Sequence, residues 1–243
     1  MQFEIYDSCF YANSLKRMWR GGDDISTPSA GTAEGFWSGL ASNGSNLALV
    51  VLENGETWGL YGGDKYSGAF YGQSTGTGNT FTASGSDFNF NNWSVTSGTV
   101  KGTVVQKSTI NATSSQNVSV NLKYESSYEI PASLTAVAGN YKVTGISAKG
   151  SAIEVPMTIT ASGLVTVVGT NCSSSGNIAP RASGKNVYNI SMTFNGTNCA
   201  LGNGGTASGI FILDQSETPN VAVSMALTPS KQDGFIAIGE KTN

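Results

Sequence analysis

From Gly35 onward the hydrophobic positions fall in short runs of period two, broken by clusters of Gly, Asn and Ser. Such runs are the pattern of antiparallel strands joined by tight turns. Asn46-Leu47-Ala48-Leu49-Val50-Val51-Leu52 is an apolar run, Glu53-Asn54-Gly55-Glu56 supplies a turn, and Thr57-Trp58-Gly59-Leu60-Tyr61 returns. The Asn-Gly pair predicts a type I′ turn, which needs positive φ at both central residues. Gly62-Gly63-Asp64 leads into a strand over 65–71, whose Tyr66, Phe70 and Tyr71 would pack across strands. Further strands are expected at 79–84, 98–107 and 116–124, giving about seven in the first half.

Residues 131–138 read as the one short helix, with Pro131 in the permitted first turn and Gly139 as its stop. Beyond it strands are expected at 140–145, 153–160, 163–169, 175–180, 186–194, 206–213, 221–228 and 234–238. Over 186–194 the alternation is clean: Tyr188, Ile190, Met192 and Phe194 face one way, which implies one buried and one wetted face. The two halves also start alike, with Gly35-Phe36-Trp37-Ser38-Gly39 in the first and Gly139-Asn140-Tyr141-Lys142 in the second. The expected fold is therefore all-β: two small antiparallel β-barrel or sandwich lobes with one short connecting helix. The expected division is 1–33 as an atypical leader and flexible tether, 34–130 as an N-terminal lobe and 131–243 as a C-terminal lobe.

Composition narrows the class. Of 243 residues, Gly, Ser, Thr and Asn make up 108, while charged residues are 12% against an average of about 25%. The chain is 39% hydrophobic with net charge −3, so it lacks the high charge and low hydrophobicity of disordered chains. That charge offers no footprint for nucleic acid or an anionic membrane surface. Histidine is absent, which removes the commonest general base, the commonest zinc ligand and every Ser-His or Cys-His pair. No apolar run approaches the roughly 18 residues of a membrane-spanning helix.

The first twenty residues differ in character from the rest of the chain. They hold Cys9, Trp19, Lys16, Arg17 and Arg20, and run into Gly21-Gly22-Asp23-Asp24 and a small-residue spacer ending near Ala33. That spacer resembles the tether after the lipidated cysteine of a bacterial lipoprotein. Met and Trp have single codons, so Met18-Trp19-Arg20 read one nucleotide later spells Cys-Gly where Arg20 is a CGN codon. The same frame admits Leu-Ser-Ala before it, a lipobox. The expectation is a frame-shifted signal peptide over residues 1–20 and a natural lipoprotein; a vector-derived leader or an ordinary arm are the alternatives. Cys172 and Cys199 suit one disulfide closing a loop of about 27 residues and contributing about 3 kcal/mol in the chain-entropy model, with two buried thiols as the alternative. Two cysteines without histidine cannot complete a zinc shell, so neither metal nor cofactor is expected.

The segments Gly35-Phe36-Trp37-Ser38-Gly39, Val51 to Tyr61, Pro180 to Tyr188 and Cys199-Ala200-Leu201-Gly202-Asn203-Gly204 resemble a family of uncharacterised Gram-negative surface or periplasmic lipoproteins. The likeness covers residues 21–240 and implies an exported two-lobe β protein with no established activity. In architecture alone the chain also resembles the barrel lobes of transferrin-binding and factor-H-binding surface lipoproteins. The N-terminus departs from the family pattern in having no intact lipobox.

Candidate chemistry is sparse. Trp37, Trp58, Trp93 and Tyr61, with Tyr66 and Tyr71, form either an aromatic platform for a ligand or core filling. Glu53 with Glu56, or Glu125 with Glu129, are carboxylate pairs of the kind glycoside hydrolysis uses, although the first straddles a turn. Arg181 and Lys185 place two cations in a Gly/Ser loop that could receive an anion. The leading expectation is a non-enzymatic envelope protein, held at the membrane only through an N-terminal lipid anchor, that binds a protein or glycan. The runner-up is a structural subunit of an extracellular fibre or surface layer that self-associates through β edges, and the third is a carbohydrate-active enzyme.

Overall fold

The computed structural model describes residues 33–147, 150, 151 and 154–242. The leader, the expected lipobox, Cys9 and all of the tether but Ala33 lie outside them. The chain divides into two compact units between Ser126 and Ser127.

The first unit is a closed antiparallel barrel of eight strands: β1 (Gly35–Ala41), β2 (Asn46–Val51), β3 (Glu56–Gly62), β4 (Tyr66–Thr77), β5 (Thr80–Asn89), β6 (Ser94–Val105), β7 (Thr109–Ser114) and β8 (Ser119–Glu125). Each strand pairs with the next, and β1 closes on β8 with Trp37 opposite Tyr124. Trp37, Leu49, Val51, Phe81, Val104, Ile110 and Leu122 fill the interior, as expected of eight strands, whose lumen is just wide enough for side chains. β2 is buried on both parities, which is why its sequence reads as a continuous apolar run and not as an alternation.

The second unit opens with a 3-10 turn (Ser126–Glu129) and the short helix α1 (Leu134–Val137). Nine strands come after it: β9 (Gly139–Ser147), β10 (Gly150–Ser151), β11 (Val155–Ile159), β12 (Leu164–Gly169), β13 (Cys172–Pro180), β14 (Tyr188–Asn195), β15 (Thr206–Asp214), β16 (Val221–Leu227) and β17 (Gly234–Lys241). Eight of them close a barrel through pairing of β17 with β9, while β10 pairs with β9 alone. Its interior holds Tyr141, Met157, Val165, Ile178, Tyr188, Ile190, Met192 and Phe211. Phe211 meets Tyr141 and Tyr188 edge to face, at 6.3 and 6.0 Å between ring centroids.

The sequence pattern identifies the all-β class, and the structure decides for barrels. Two local expectations are corrected. The first barrel has eight strands, because the segment expected as one strand over 98–107 ends in a turn, where Lys107 takes φ 51°, and Thr109–Ser114 returns as β7. The Asn54-Gly55 turn is not type I′, since only Gly55 has positive φ (81°). Gly55 N–H donates to Leu52 O and Leu52 N–H to Glu56 O, each at 2.8 Å. That is a three-residue loop with a left-handed residue at its end. The same bonds join Ser114 to Asn117 and Val118, with Asn117 supplying the left-handed position at φ 61°.

The likeness of the two starts has a structural counterpart. Gly35 and Gly139 have φ of 147° and 143°, and two residues on, a fully buried aromatic bonds back to a carbonyl. Trp37 Nε1–H donates to Ala33 O at 2.8 Å, and Tyr141 O–H donates to Val137 O. In each barrel the segment before the first strand is thus tied to a buried ring at that strand's third residue.

Candidate functional site

The outward parity of β1, β6, β7 and β8 carries a polar surface. Register places Lys101 opposite Thr113, Thr113 opposite Ser119, Asn111 opposite Asn121 and Asn121 opposite Leu40. Asn121 Nδ2–H donates to Asn111 Oδ1, and the Thr113 and Ser119 hydroxyls lie 3.0 Å apart. These residues line an open groove of about 520 Å³ in which Lys101 is the one charged side chain and Leu40, 58% exposed, the one large apolar one. Paired amides and hydroxyls offer both donors and acceptors along this surface.

A second exposed feature stands at the turn between β5 and β6. Asn89 Oδ1 accepts from Asn91 N–H at 2.9 Å and Asn92 Oδ1 from Ser94 N–H at 3.1 Å, so two Asn side chains hold the turn. Trp93 sits there at φ 55°, 43% exposed, with its ring 5.9 Å from that of Phe90.

The other aromatics expected as a platform are not brought together on a surface. Trp37 is wholly buried in the first barrel, edge to face with Tyr124 at 5.3 Å. Trp58 is also buried; its indole N–H donates to Glu56 Oε1 at 3.2 Å and its ring meets Tyr71 at 4.5 Å. Tyr61 O–H donates to Asp87 Oδ1 at 2.6 Å. Burial pushes the Tyr61 hydroxyl far above its usual range, and burial likewise raises Asp87 against the opposing effect of the Tyr61 bond. Of the four, Trp93 alone is solvent-facing.

In the loop expected to receive an anion, both cations have protein partners. Lys185 Nζ is paired with the Glu129 carboxylate and Arg181 donates to Asn189 Oδ1, so the two cations turn to different protein partners. Glu125 is buried and accepts from Ser38 Oγ. Glu56 is turned to Trp58. Cys172 and Cys199 are joined in a disulfide, with Cα atoms 5.0 Å apart, at the start of β13.

Two buried polar groups are not legible in the sequence. Asn186, 1% exposed, donates to Leu213 O at 3.0 Å and Ser127 O at 3.3 Å, bridging the 3-10 turn to the end of β15. Asp214, 3% exposed, accepts from Ser216 N–H and Oγ–H through Oδ1, and burial holds its carboxyl above the usual range. The outward parity of β6 and β8 is legible, but without β7 as a strand Asn111 and Thr113 have no place beside them. Among the described residues no three His, Cys, Asp or Glu side chains are grouped to hold a metal ion, and no helix is long and apolar enough to cross a membrane.

No protein-family model matches the chain, and no curated protein does. Among solved structures it is similar to a Bacteroides fragilis protein described as a "putative outer membrane protein", with 14% identity over 88% of this chain and 97% of that one. The TM-score is 0.26, too low for the likeness to bear on function.

Proposed function

We propose that this chain is an exported, non-catalytic binding module of the cell envelope, tethered through a lipidated N-terminus, which takes a neutral glycan segment in the groove over β6, β7, β8 and β1. The observation that carries the reading is the groove itself: amides and hydroxyls at Asn111, Asn121, Thr113 and Ser119, one cation at Lys101 and one exposed aliphatic at Leu40. The Cys172–Cys199 disulfide supports export, because such bonds persist in oxidising compartments. The test is binding of the full chain to a panel of immobilised envelope and host glycans, followed by titration of any retained glycan. Asn111→Ala with Asn121→Ala should weaken that binding at least about tenfold, the cost of about 1.4 kcal/mol of lost hydrogen bonding. A double variant that binds as tightly as the parent excludes the groove.

Assembly through β edges, the second reading, is favoured by one observation. The first residues of β6 have a strand neighbour on one side only among the described residues.

A further inference from the structure

β6 has twelve residues and its neighbour β7 has six. β5 pairs with Ser94–Thr103 of β6, whereas β7 pairs only with Val100–Val105. Thr99 makes the last contact on the β7 side: its carbonyl accepts from Ser115 N–H at 2.8 Å, and its N–H donates to Ser115 Oγ at 3.3 Å. Main-chain groups of successive residues in an antiparallel strand point to alternate sides. Since Thr99 points toward β7, Ser97 and Val95 do too, and each presents an N–H and a C=O to the open side. Val95, Thr96 and Ser97 are all exposed.

We propose that this open edge pairs with the same edge of a second copy of the chain, antiparallel about a two-fold axis at Thr96; the proposal rests on the edge-assembly reading above. The register is set by the groups available. With the axis at Thr96, Val95 stands opposite Ser97 of the second copy, and each such pair exchanges two main-chain hydrogen bonds, four in all. An axis two residues later would need Thr99, already bonded to Ser115. An axis two residues earlier would need Trp93, which lies in the turn at φ 55°.

The chemistry of the edge favours a copy of itself. No charged residue occurs from Ser94 to Val100, and Lys101 would fall opposite Asn91 of the second copy, beyond the paired stretch. Charges, prolines and bulges are the usual means of keeping an exposed edge single, and this stretch has neither charge nor proline. Threonine faces threonine at the axis, a favourable cross-strand pair. Trp93 and Val95, 43% and 40% exposed, supply apolar surface beside the seam.

The experiment uses the full chain with Cys9→Ser, leaving no free thiol beside the Cys172–Cys199 bridge. Thr96→Cys places two thiols at a non-hydrogen-bonded pair about 4.5 Å apart at Cα, within disulfide reach. Ser97→Cys places them diagonally, about 9 Å apart, out of reach. The expected result is a dimer by size-exclusion chromatography with light scattering, locked on oxidation in Thr96→Cys and not in Ser97→Cys. Ser97→Lys and Ser97→Pro should weaken the dimer at least about tenfold, the proline by removing two of the four hydrogen bonds. Circular dichroism checks that each variant is folded, and the lysine variant answers the question if the proline variant is not. A strict monomer at every concentration overturns both the register and the edge-assembly reading. A dimer that survives Ser97→Lys, or that cross-links equally through positions 96 and 97, overturns the register and leaves edge assembly standing elsewhere on the molecule.

Discussion

Replacing Tyr141 by Phe isolates one interaction. The Tyr141 ring is buried in the second barrel against Phe211, and phenylalanine keeps that packing. Only the hydroxyl is lost, and with it the bond to Val137 O. Val137 is fully buried at the end of α1, where helix carbonyls have no partner within the helix. The orphaned acceptor should cost about 1–3 kcal/mol. For a unit of this size about 2 kcal/mol corresponds to a midpoint lowered by roughly 6–10 °C. Urea unfolding monitored by far-UV circular dichroism measures the loss, and the m-value should not change. Trp37→Phe is the matched change in the first barrel. It orphans Ala33 O and also leaves a void of about 40 Å³, adding about 1 kcal/mol, so it should be the more damaging of the two. Loss of less than about 0.5 kcal/mol in Tyr141→Phe would refute the claim that this bond ties α1 to β9.

Reduction of Cys172–Cys199, or its replacement by serines, should lower the stability of the second unit by about 3 kcal/mol, read as a shift in the denaturation midpoint with and without reductant; an unchanged midpoint would show that the loop is held by other contacts. The Asp214 carboxyl is raised by burial, so the native state binds its proton more tightly than the unfolded chain does, and the ionised form is a cost at neutral pH. Asp214→Asn should therefore be more stable than the parent at pH 7, with the gap closing as pH falls below the ordinary carboxylate range; a less stable variant at pH 7 would mean that the charge is compensated. Tyr61, Tyr141 and Tyr188 are all raised by burial. Their contribution is complete below the ordinary tyrosine value of about 10 and is lost as pH rises above it, so a stability profile flat from about pH 9 to 11 would count against their burial.

The fold is legible where one face of a strand is apolar and the other polar. Tyr188, Ile190 and Met192 are buried as their alternation requires, and Phe194 packs against the same core. β7 is hidden in the sequence because Thr109–Ser114 brings only Ile110 and Ala112 to the interior, and alanine gives a weak periodic signal. The candidate site is less legible for a different reason. Trp37, Trp58 and Trp93 are one residue type, yet two are buried and one stands in a turn. Lys185 reads locally as a cation in a polar loop, and its carboxylate partner is 56 residues away. The groove is made of outward-facing polar residues of ordinary kinds, and only the register across four strands sets them side by side.

Closing a sheet into a barrel removes its edges except where neighbouring strands differ in length. Both barrels have such an overhang. In the second, β13 runs three residues past its pairing with β12, which ends at Asn177. Ile178 N–H still donates to Gly163 O at 2.8 Å, and by alternation the next residue facing that open side is Pro180. Proline has no N–H, so the overhang offers no donor where an incoming strand would need one. Arg181 comes next with a charge. The overhang of β6 in the first barrel has neither protection over Ser94–Val100 and presents complete N–H and C=O pairs at Val95 and Ser97. The two barrels begin with the same device at Gly35 and Gly139, so the contrast at their overhangs is not a general feature of the repeat. Of these two overhangs, the one on β6 is the one that leaves a complete donor and acceptor row for an incoming strand.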